Sequence, residues 1–406
     1  MEWQDTAEEA AFRAEVRDFL ATELPERYRR LAAHNRIVRR VWQKDRLSSE
    51  PGRRETARLW AEALSRRGWF APHWPREYGG AGLGPAEQFV FNEEMARVDA
   101  PSVQGVGVGF LGSALIIHGT DEQKRTHLPR ILDGSVVWAQ GFSEPGAGSD
   151  LAGLTTRAVR DGDEYVLSGQ KIWTSDGHEA EWICVLARTD PDLPRHRGVS
   201  FLLADMRQPG IELRPLINLN WRHAFNETFF DGARVPVTNR VGEENRGWYV
   251  AMTVLDFERS NVAGAVEARR LLSRLIADAS GQGAERARLG RLDSVRQQVA
   301  QRWVEAEVLY GFSAQIISIE KAGLVPNHEA SVSKVFGSEL AQAIARTGAS
   351  TYGLYSLLWD PDDARSPLEA FFAQAYVESL SRTIASGTSE IQRNVIATRG
   401  LGLPRG

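Results

Sequence analysis

Apolar residues recur along this chain with two different periods, and the period changes twice. In residues 6–20, Phe12, Val16, Phe19 and Leu20 fall at i, i+4, i+7 and i+8, which places them on one face of a helix. Thr6 and Glu9 stand in front of them at the spacing of a capping box. Helical spacing returns at 54–67, 85–98 and 122–132, with a Gly/Pro-rich connection over 74–85. Near residue 135 the pattern shortens to β-rich runs at 136–139, 165–167, 182–187, 199–203 and 228–230. Asp161-Gly162-Asp163, Pro209-Gly210 and Asp231-Gly232 punctuate these runs as turns. After Trp248 the helical period resumes, at 266–277, 292–317 and 330–347. The pattern predicts a helical domain over 1–135, a compact all-β domain over 136–243 and a second helical domain over 244–406.

Composition narrows the possibilities. A chain of 406 residues exceeds the size at which a single core stops growing, so a multidomain α+β architecture is expected. The 49 Lys and Arg against 53 Asp and Glu leave a net charge of −4 with no basic cluster, which excludes a nucleic-acid footprint. No run of about 18 apolar residues occurs, and Met1-Glu2-Trp3-Gln4-Asp5 lacks a signal-peptide layout. A cytoplasmic protein without stable membrane insertion is expected. The one cysteine, Cys184, sits in the apolar run 182–187, reads as a buried inert thiol and leaves no cysteine-based metal site. No metal is expected.

Three segments carry candidate chemistry. The first is Gly141-Phe142-Ser143-Glu144-Pro145-Gly146-Ala147-Gly148-Ser149-Asp150. Gly146 and Gly148 allow positive φ and close approach of backbone N–H groups to a ligand, and Ser143 and Ser149 add hydroxyls, so the loop can cradle an anion such as a pyrophosphate. The second is Gln170-Lys171-Ile172-Trp173-Thr174-Ser175, where Trp173 offers a flat apolar face to a ring system. Alone, a Pro-Gly-Ala-Gly loop is usually an ordinary turn and a lone tryptophan usually fills an interface. The third is Gly387-Thr388-Ser389-Glu390-Ile391-Gln392-Arg393-Asn394, in which a Thr-Ser pair could equally cap a last helix.

With all three segments in this order, the chain resembles the acyl-CoA dehydrogenase family over nearly its whole length. His118-Gly119-Thr120-Asp121-Glu122-Gln123-Lys124 and Val235-Pro236 extend the likeness. The resemblance implies two helical domains flanking a small β-barrel, the C-terminal one a four-helix bundle, with FAD as cofactor. It implies flavin contacts from Gln140, Phe142, Ser143, Gly148, Ser149, Trp173 and Ser175, and from Thr388, Ser389 and Glu390 toward the flavin and its phosphates. It also implies an acyl-CoA substrate, an electron-transfer flavoprotein as electron acceptor, and assembly as a homo-oligomer or as a heteromer with a second chain of the family.

The catalytic base departs from the commoner pattern. Many members carry a glutamate immediately before the C-terminal Gly-Thr, where this chain has Ala385-Ser386. Others carry the base in an Asp-x-Glu-Arg motif, present here as Asp256-Phe257-Glu258-Arg259, which makes Glu258 the candidate base and Arg259 a candidate CoA contact. The Ser386 N–H is the candidate donor to the thioester oxygen. Ala385 and Ser386 leave room for a bulky or branched acyl group, and Ser149 is a further candidate substrate contact. Two elements are altered: the family's Arg-x-x-Phe-Gly becomes 285–292, Glu-Arg-Ala-Arg-Leu-Gly-Arg-Leu, and Gln-x-x-Gly-Gly becomes Ser350-Thr351-Tyr352-Gly353-Leu354. A half-site subunit of a heteromeric dehydrogenase, and a flavin oxidase or monooxygenase on the same fold, therefore stand as alternatives.

Overall fold

The capping box at Thr6 closes in both directions. The Glu9 N–H donates to Thr6 Oγ1 at 3.2 Å and the Thr6 N–H to the Glu9 carboxylate at 2.9 Å, opening the helix Ala7–Glu23. Val16, Phe19 and Leu20 are buried on its inner face. Arg13 is buried on that face too. Its guanidinium reaches Asp5, Glu93 and Glu94 at 2.6 Å each, and these three carboxylates hold it charged, raising its pKa.

The computed structural model describes residues 4–34, 40–255 and 261–404. They form two units, one of residues 1–56, 83–101 and 258–406, the other of 57–82 and 102–257. In the first, the helices Val262–Ser280, Asp293–Lys321 and His328–Tyr352 pack pairwise, and Phe371–Ser379 lies on the third. Their shared core includes Leu272, Leu309, Ile344, Tyr352 and Phe372. The helix Pro85–Arg97 joins them through Phe89, fully buried against Val262, Val266 and Ile317.

The second unit holds the sheet. Its strands are β1 (Trp138–Gly141), β2 (Arg157–Asp161), β3 (Glu164–Lys171), β4 (Trp182–Arg188), β5 (Val199–Asp205), β6 (Ile211–Ile217), β7 (His223–Pro236) and β8 (Arg240–Val241). They run in the order β6-β7-β3-β2-β4-β5-β8, with β1 parallel to β4. β4 and β5 are buried on both faces, which is why their sequences are continuous apolar runs rather than alternating ones. Tyr165, Leu167, Ile183, Val185, Leu202 and Phe230 fill the core beneath them. The predicted runs all fall within or overlap strands, but β2, β6 and the two-residue β8 had no signal. β2 exposes four of its five residues and β6 ends the strand path with no buried residue, so neither needs an apolar stripe. Cys184 is fully buried, its Sγ 3.4 Å from the Ala139 carbonyl, and burial pushes the thiol up to about 12. Among the described residues no helix is long and apolar enough to cross a membrane.

Candidate active site

β1 delivers the glycine loop. Gln140 is half-buried, and Phe142 is buried with its ring edge-on to Phe110 and Phe201 at 5.4 and 6.0 Å. The loop then turns on Pro145-Gly146, closed by reciprocal backbone hydrogen bonds between Glu144 and Ala147 at 3.1 and 3.0 Å. Gly146, Gly148 and Ser149 are exposed, and Ser143 is half-buried. Neither glycine adopts the positive φ that the sequence reading allowed them. What they provide is space: a Cβ at either position would meet nothing within 4 Å, so the backbone borders an open cradle.

A buried ion pair holds this loop to β3. Lys171, at the end of β3, is fully buried and donates to Glu144 Oε1 at 2.8 Å and to the Phe142 carbonyl at 3.0 Å. Glu144 also accepts from the Thr155 N–H and Oγ1 at 2.7 and 2.8 Å and from the Thr156 N–H at 2.9 Å. Burial pulls the Glu144 carboxyl upward, but the Lys171 charge and these donors outweigh it and hold it at about 2. Burial pulls Lys171 down to about 8 against the attraction of Glu144.

Immediately after Lys171 the chain presents Trp173. Its backbone is left-handed at φ 61° and the residue is 58% exposed, with the edge of Phe225 against its ring at 5.9 Å. An exposed indole on a strained backbone suits a ring-binding wall. The next residue secures the segment. Thr174 exchanges backbone hydrogen bonds with Asn226 at 3.0 Å each way and accepts from Thr228 Oγ1 at 2.9 Å, leaving Ser175 half-buried beside it. Asn226 is itself buried and links the stacked His223 and His178 rings, at 2.8 and 3.3 Å.

The remaining candidates lie on the other unit. Ala385 and Ser386 are exposed, and Ser386 and Gly387 are consecutive positive-φ residues at 55° and 82°. The Ser386 carbonyl accepts from Gln392 Nε2 at 3.2 Å and the Gly387 carbonyl from Lys334 Nζ. The N–H groups of Ser386, Gly387 and Thr388 have no acceptor among the described residues. Thr388 caps the helix Ser389–Val395, its Oγ1 accepting from the Ile391 N–H at 3.2 Å, so the capping role is real, and its hydroxyl also hydrogen-bonds the Glu390 carboxylate. Ser389 is buried with its hydroxyl unsatisfied among the described residues. The Glu390 carboxylate is exposed and its pKa lowered by its own backbone amide and the Thr388 hydroxyl.

Glu258 and Arg259 lie outside the described residues. Lys171, Asn226 and Lys334 were not singled out from sequence. For Lys171 a signal existed: it occupies a buried register of β3, where a charge is out of place unless paired. Asn226 and Lys334 had none.

These residues fit a flavin dinucleotide. On one unit an open glycine cradle and an exposed indole, and on the other a buried serine hydroxyl with no partner among the described residues, are each the kind of group such a ligand uses. Comparison with known proteins agrees. Three profiles match in succession, described as the N-terminal, middle and C-terminal domains of acyl-CoA dehydrogenase, over residues 48–135, 139–232 and 245–401. Acyl-CoA dehydrogenase IpdE1 of Mycobacterium tuberculosis is 36% identical over 382 residues, covering 90% of this chain and 96% of the relative. Among solved structures, the Tcur3481-Tcur3483 steroid ACAD superposes with a TM-score of 0.84 at 31% identity, and the ChsE4-ChsE5 complex from Mycobacterium tuberculosis with 0.81 at 32%. Each covers all of both chains. The chain belongs to the acyl-CoA dehydrogenase family of FAD-dependent oxidoreductases.

Proposed function

We propose that the chain carries out α,β-dehydrogenation of an acyl-CoA thioester to the 2-enoyl-CoA, acting on a bulky or branched acyl group. FAD, when bound, supplies the acceptor for the hydride leaving Cβ. The chain's own residues remove the Cα proton and hold the thioester oxygen as charge develops on it. Glu258 is the proposed base, with Arg259 and Ser149 directed to the substrate. Gln140, Phe142, Ser143, Gly148, Ser149, Trp173 and Ser175 are proposed for the flavin ring and its chain, and Thr388, Ser389 and Glu390 for its phosphates.

The observation that carries this reading is the turn at Ser386. Two left-handed residues in succession cost free energy, and the turn is fixed from behind by Gln392 and Lys334 on its carbonyls, which leaves three successive N–H groups without acceptors among the described residues. Such a preorganised donor set suits a developing oxyanion, and the Ser386 N–H is its proposed first member. Ala385 and Ser386 themselves are small and exposed, which favours a bulky acyl chain over a short straight one.

The domain division proposed is 1–135, 136–243 and 244–406. The neighbours above are a steroid enzyme of this class and a complex of paired chains, which supports assembly with a second chain of the family, or as a homo-oligomer. Electron-transfer flavoprotein is the proposed acceptor and the cytoplasm the proposed location. The test is anaerobic bleaching of the flavin in the purified chain, with any chain that co-purifies, by a panel of acyl-CoAs. Bulky or branched substrates, including a sterol-derived side chain, should bleach it faster than butyryl- or octanoyl-CoA. A clear preference for a short straight chain would remove the substrate assignment, and colourless protein that takes up no FAD would remove the whole reading.

A further inference from the structure

A hydrogen-bond relay lies behind Trp173, wholly within the unit that holds the sheet. Asn226, on β7 and only 1% exposed, donates from Nδ2 to the Thr174 carbonyl at 3.1 Å, and its backbone N–H donates to the same oxygen at 3.0 Å. With the nitrogen fixed there, the rest of the carboxamide has one assignment. Oδ1 accepts from His223 Nε2 at 2.8 Å, and Nδ2 donates to His178 Nδ1 at 3.3 Å. His223 therefore carries a proton on Nε2, and His178 keeps a bare lone pair on Nδ1. The two rings stack with 3.8 Å between centroids and 20° between planes. Gly177 closes the turn against this amide: a Cβ there would stand 2.9 Å from Thr174 Cγ2 and 3.3 Å from Asn226 Nδ2. The segment so held carries left-handed backbone at both Trp173 and Asp176, with φ of 61° and 48°.

We infer that Asn226 is a positioning residue for the flavin wall at Trp173, and that it holds this wall only while His178 is uncharged. A proton on His178 Nδ1 points an N–H at the Asn226 amide nitrogen and replaces a hydrogen bond by two opposed donors. The carboxamide then has two arrangements. Kept in place, it loses the His178 bond and faces a cation; turned over, its oxygen accepts from His178 but meets the lone pairs of the Thr174 carbonyl. In both, the side-chain hold on Thr174 weakens, and the strain at Trp173 and Asp176 loses part of what over-determines it. The stack limits the charge the pair can take, because two imidazolium rings face to face repel. Of the strands packed on the turn Gly177–Glu179, β1 brings no titratable group, β6 brings Glu212 and Arg214, which pair with each other, and β7 brings Arg222 and Glu227, the latter bonded to Gln170. Asp176 and Glu179 belong to the turn itself. The native relay needs one proton fewer at His178, so its grip is present above the range where a histidine takes a proton, about pH 6–7, and is lost as pH falls through it. The inference rests on the proposed placement of the flavin against Trp173 and Ser175.

The experiment follows two quantities on the full chain from about pH 5.5 to about pH 8. One is the dissociation constant for FAD; the other is hydrogen exchange of the 173–176 amides in the chain freed of flavin, with intrinsic rates divided out. In the parent, lowering the pH through the histidine range should weaken FAD binding and speed exchange at Thr174 by about threefold to tenfold each, the worth of one hydrogen bond. His178→Gln, at an exposed position, should flatten both steps. Asn226→Asp has no donor for the Thr174 carbonyl, so it should loosen the segment at the alkaline end, and its carboxylate should move the step to higher pH by favouring the protonated His178. Nitrogen-15 spectra of the histidines supply a signature that a purely structural asparagine would not: above the step, His178 bare on Nδ1 and His223 protonated on Nε2. A flat parent profile in both readouts, or steps that survive in His178→Gln, overturns the inference even if the protein binds FAD. An exchange step beside a flat FAD affinity overturns the positioning role. A His178-dependent exchange step in a chain that takes up no FAD keeps the relay and removes the flavin placement at Trp173.

Discussion

Lys171→Met tests how the glycine loop is held. Methionine keeps the length and apolar body of the lysine in a site that is fully buried, but removes the ammonium that spans Glu144 and the Phe142 carbonyl. The Glu144 carboxylate then remains buried with its three donors from Thr155 and Thr156 and no opposite charge. Removing one partner of a buried pair costs about 3–5 kcal/mol, and the surviving hydrogen bonds place this case at the low end, about 3 kcal/mol. Adding Glu144→Gln removes the stranded charge and should return about 1–2 kcal/mol of that loss. The sign with pH follows from Glu144. Its folded pKa of about 2 lies below the ordinary 4.5, so its contribution is present above about pH 4.5 and is lost as pH falls toward 2. Without Lys171 that depression shrinks, so the gap between parent and variant should narrow over the same window. Urea unfolding at neutral and acidic pH measures the gap, and visible absorbance gives the flavin-to-chain ratio, which should fall in the variant as the loop loosens. A loss under about 1 kcal/mol that is also insensitive to Glu144→Gln would refute the argument.

Other substitutions test the site directly. Glu258→Gln should keep fold, flavin content and acyl-CoA binding but slow flavin reduction by roughly 10²–10⁴-fold, and near-normal single-turnover reduction would place the base elsewhere. Ser386→Glu in that background should restore part of the rate in the same assay. Trp173→Ala should raise the dissociation constant for FAD with little change in melting temperature, because the residue is 58% exposed; an unchanged constant would deny it a flavin contact. Gly387→Ala puts a Cβ on a backbone at φ +82° and 2.5 Å from Gln392 Nε2, so it should cost about 1–2 kcal/mol and slow reduction as the Ser386 turn shifts. Equal rates and stability in parent and variant would show that the turn is not held as described.

What could be read before folding divides along a physical line. Long helices were legible because their buried faces are apolar at a fixed period: 292–317 lies inside Asp293–Lys321 and 330–347 inside His328–Tyr352. β4 and β5 were legible as continuous apolar runs. β2 and β6 were not, since strands that expose most of their residues leave the period-2 signal empty. The motif segments announced Ser143, Trp173 and Thr388, but not what holds them, and the holding groups are largely charges and amides in buried places. Arg13, Lys171 and Asn226 each sit where periodicity alone would put an apolar side chain or a solvated polar one. Pairing partners decide such positions, and these are remote in sequence: Glu93 and Glu94 lie some eighty residues from Arg13, and Asn226 lies 52 from Thr174.

The same reasoning explains the direction of the errors. Gly146 and Gly148 suggested left-handed backbone, yet the strain sits on Trp173, Ser386 and Gly387. A proline-led turn closed by the Glu144–Ala147 pair needs no positive φ, so these glycines can serve by lacking a side chain. Strain on a non-glycine residue persists only where surrounding bonds over-determine it, and both cases meet that condition: Thr174 and Asn226 pin the segment after Trp173, and Gln392 and Lys334 pin the carbonyls of the Ser386 turn. Within each unit, a strained residue clamped by its neighbours is the kind of preorganised group a ligand site uses. Lys334 therefore bears on function as much as Ser386 does. Releasing its grip on the Gly387 carbonyl by Lys334→Met should lower the rate of flavin reduction without changing the FAD content set by the glycine loop.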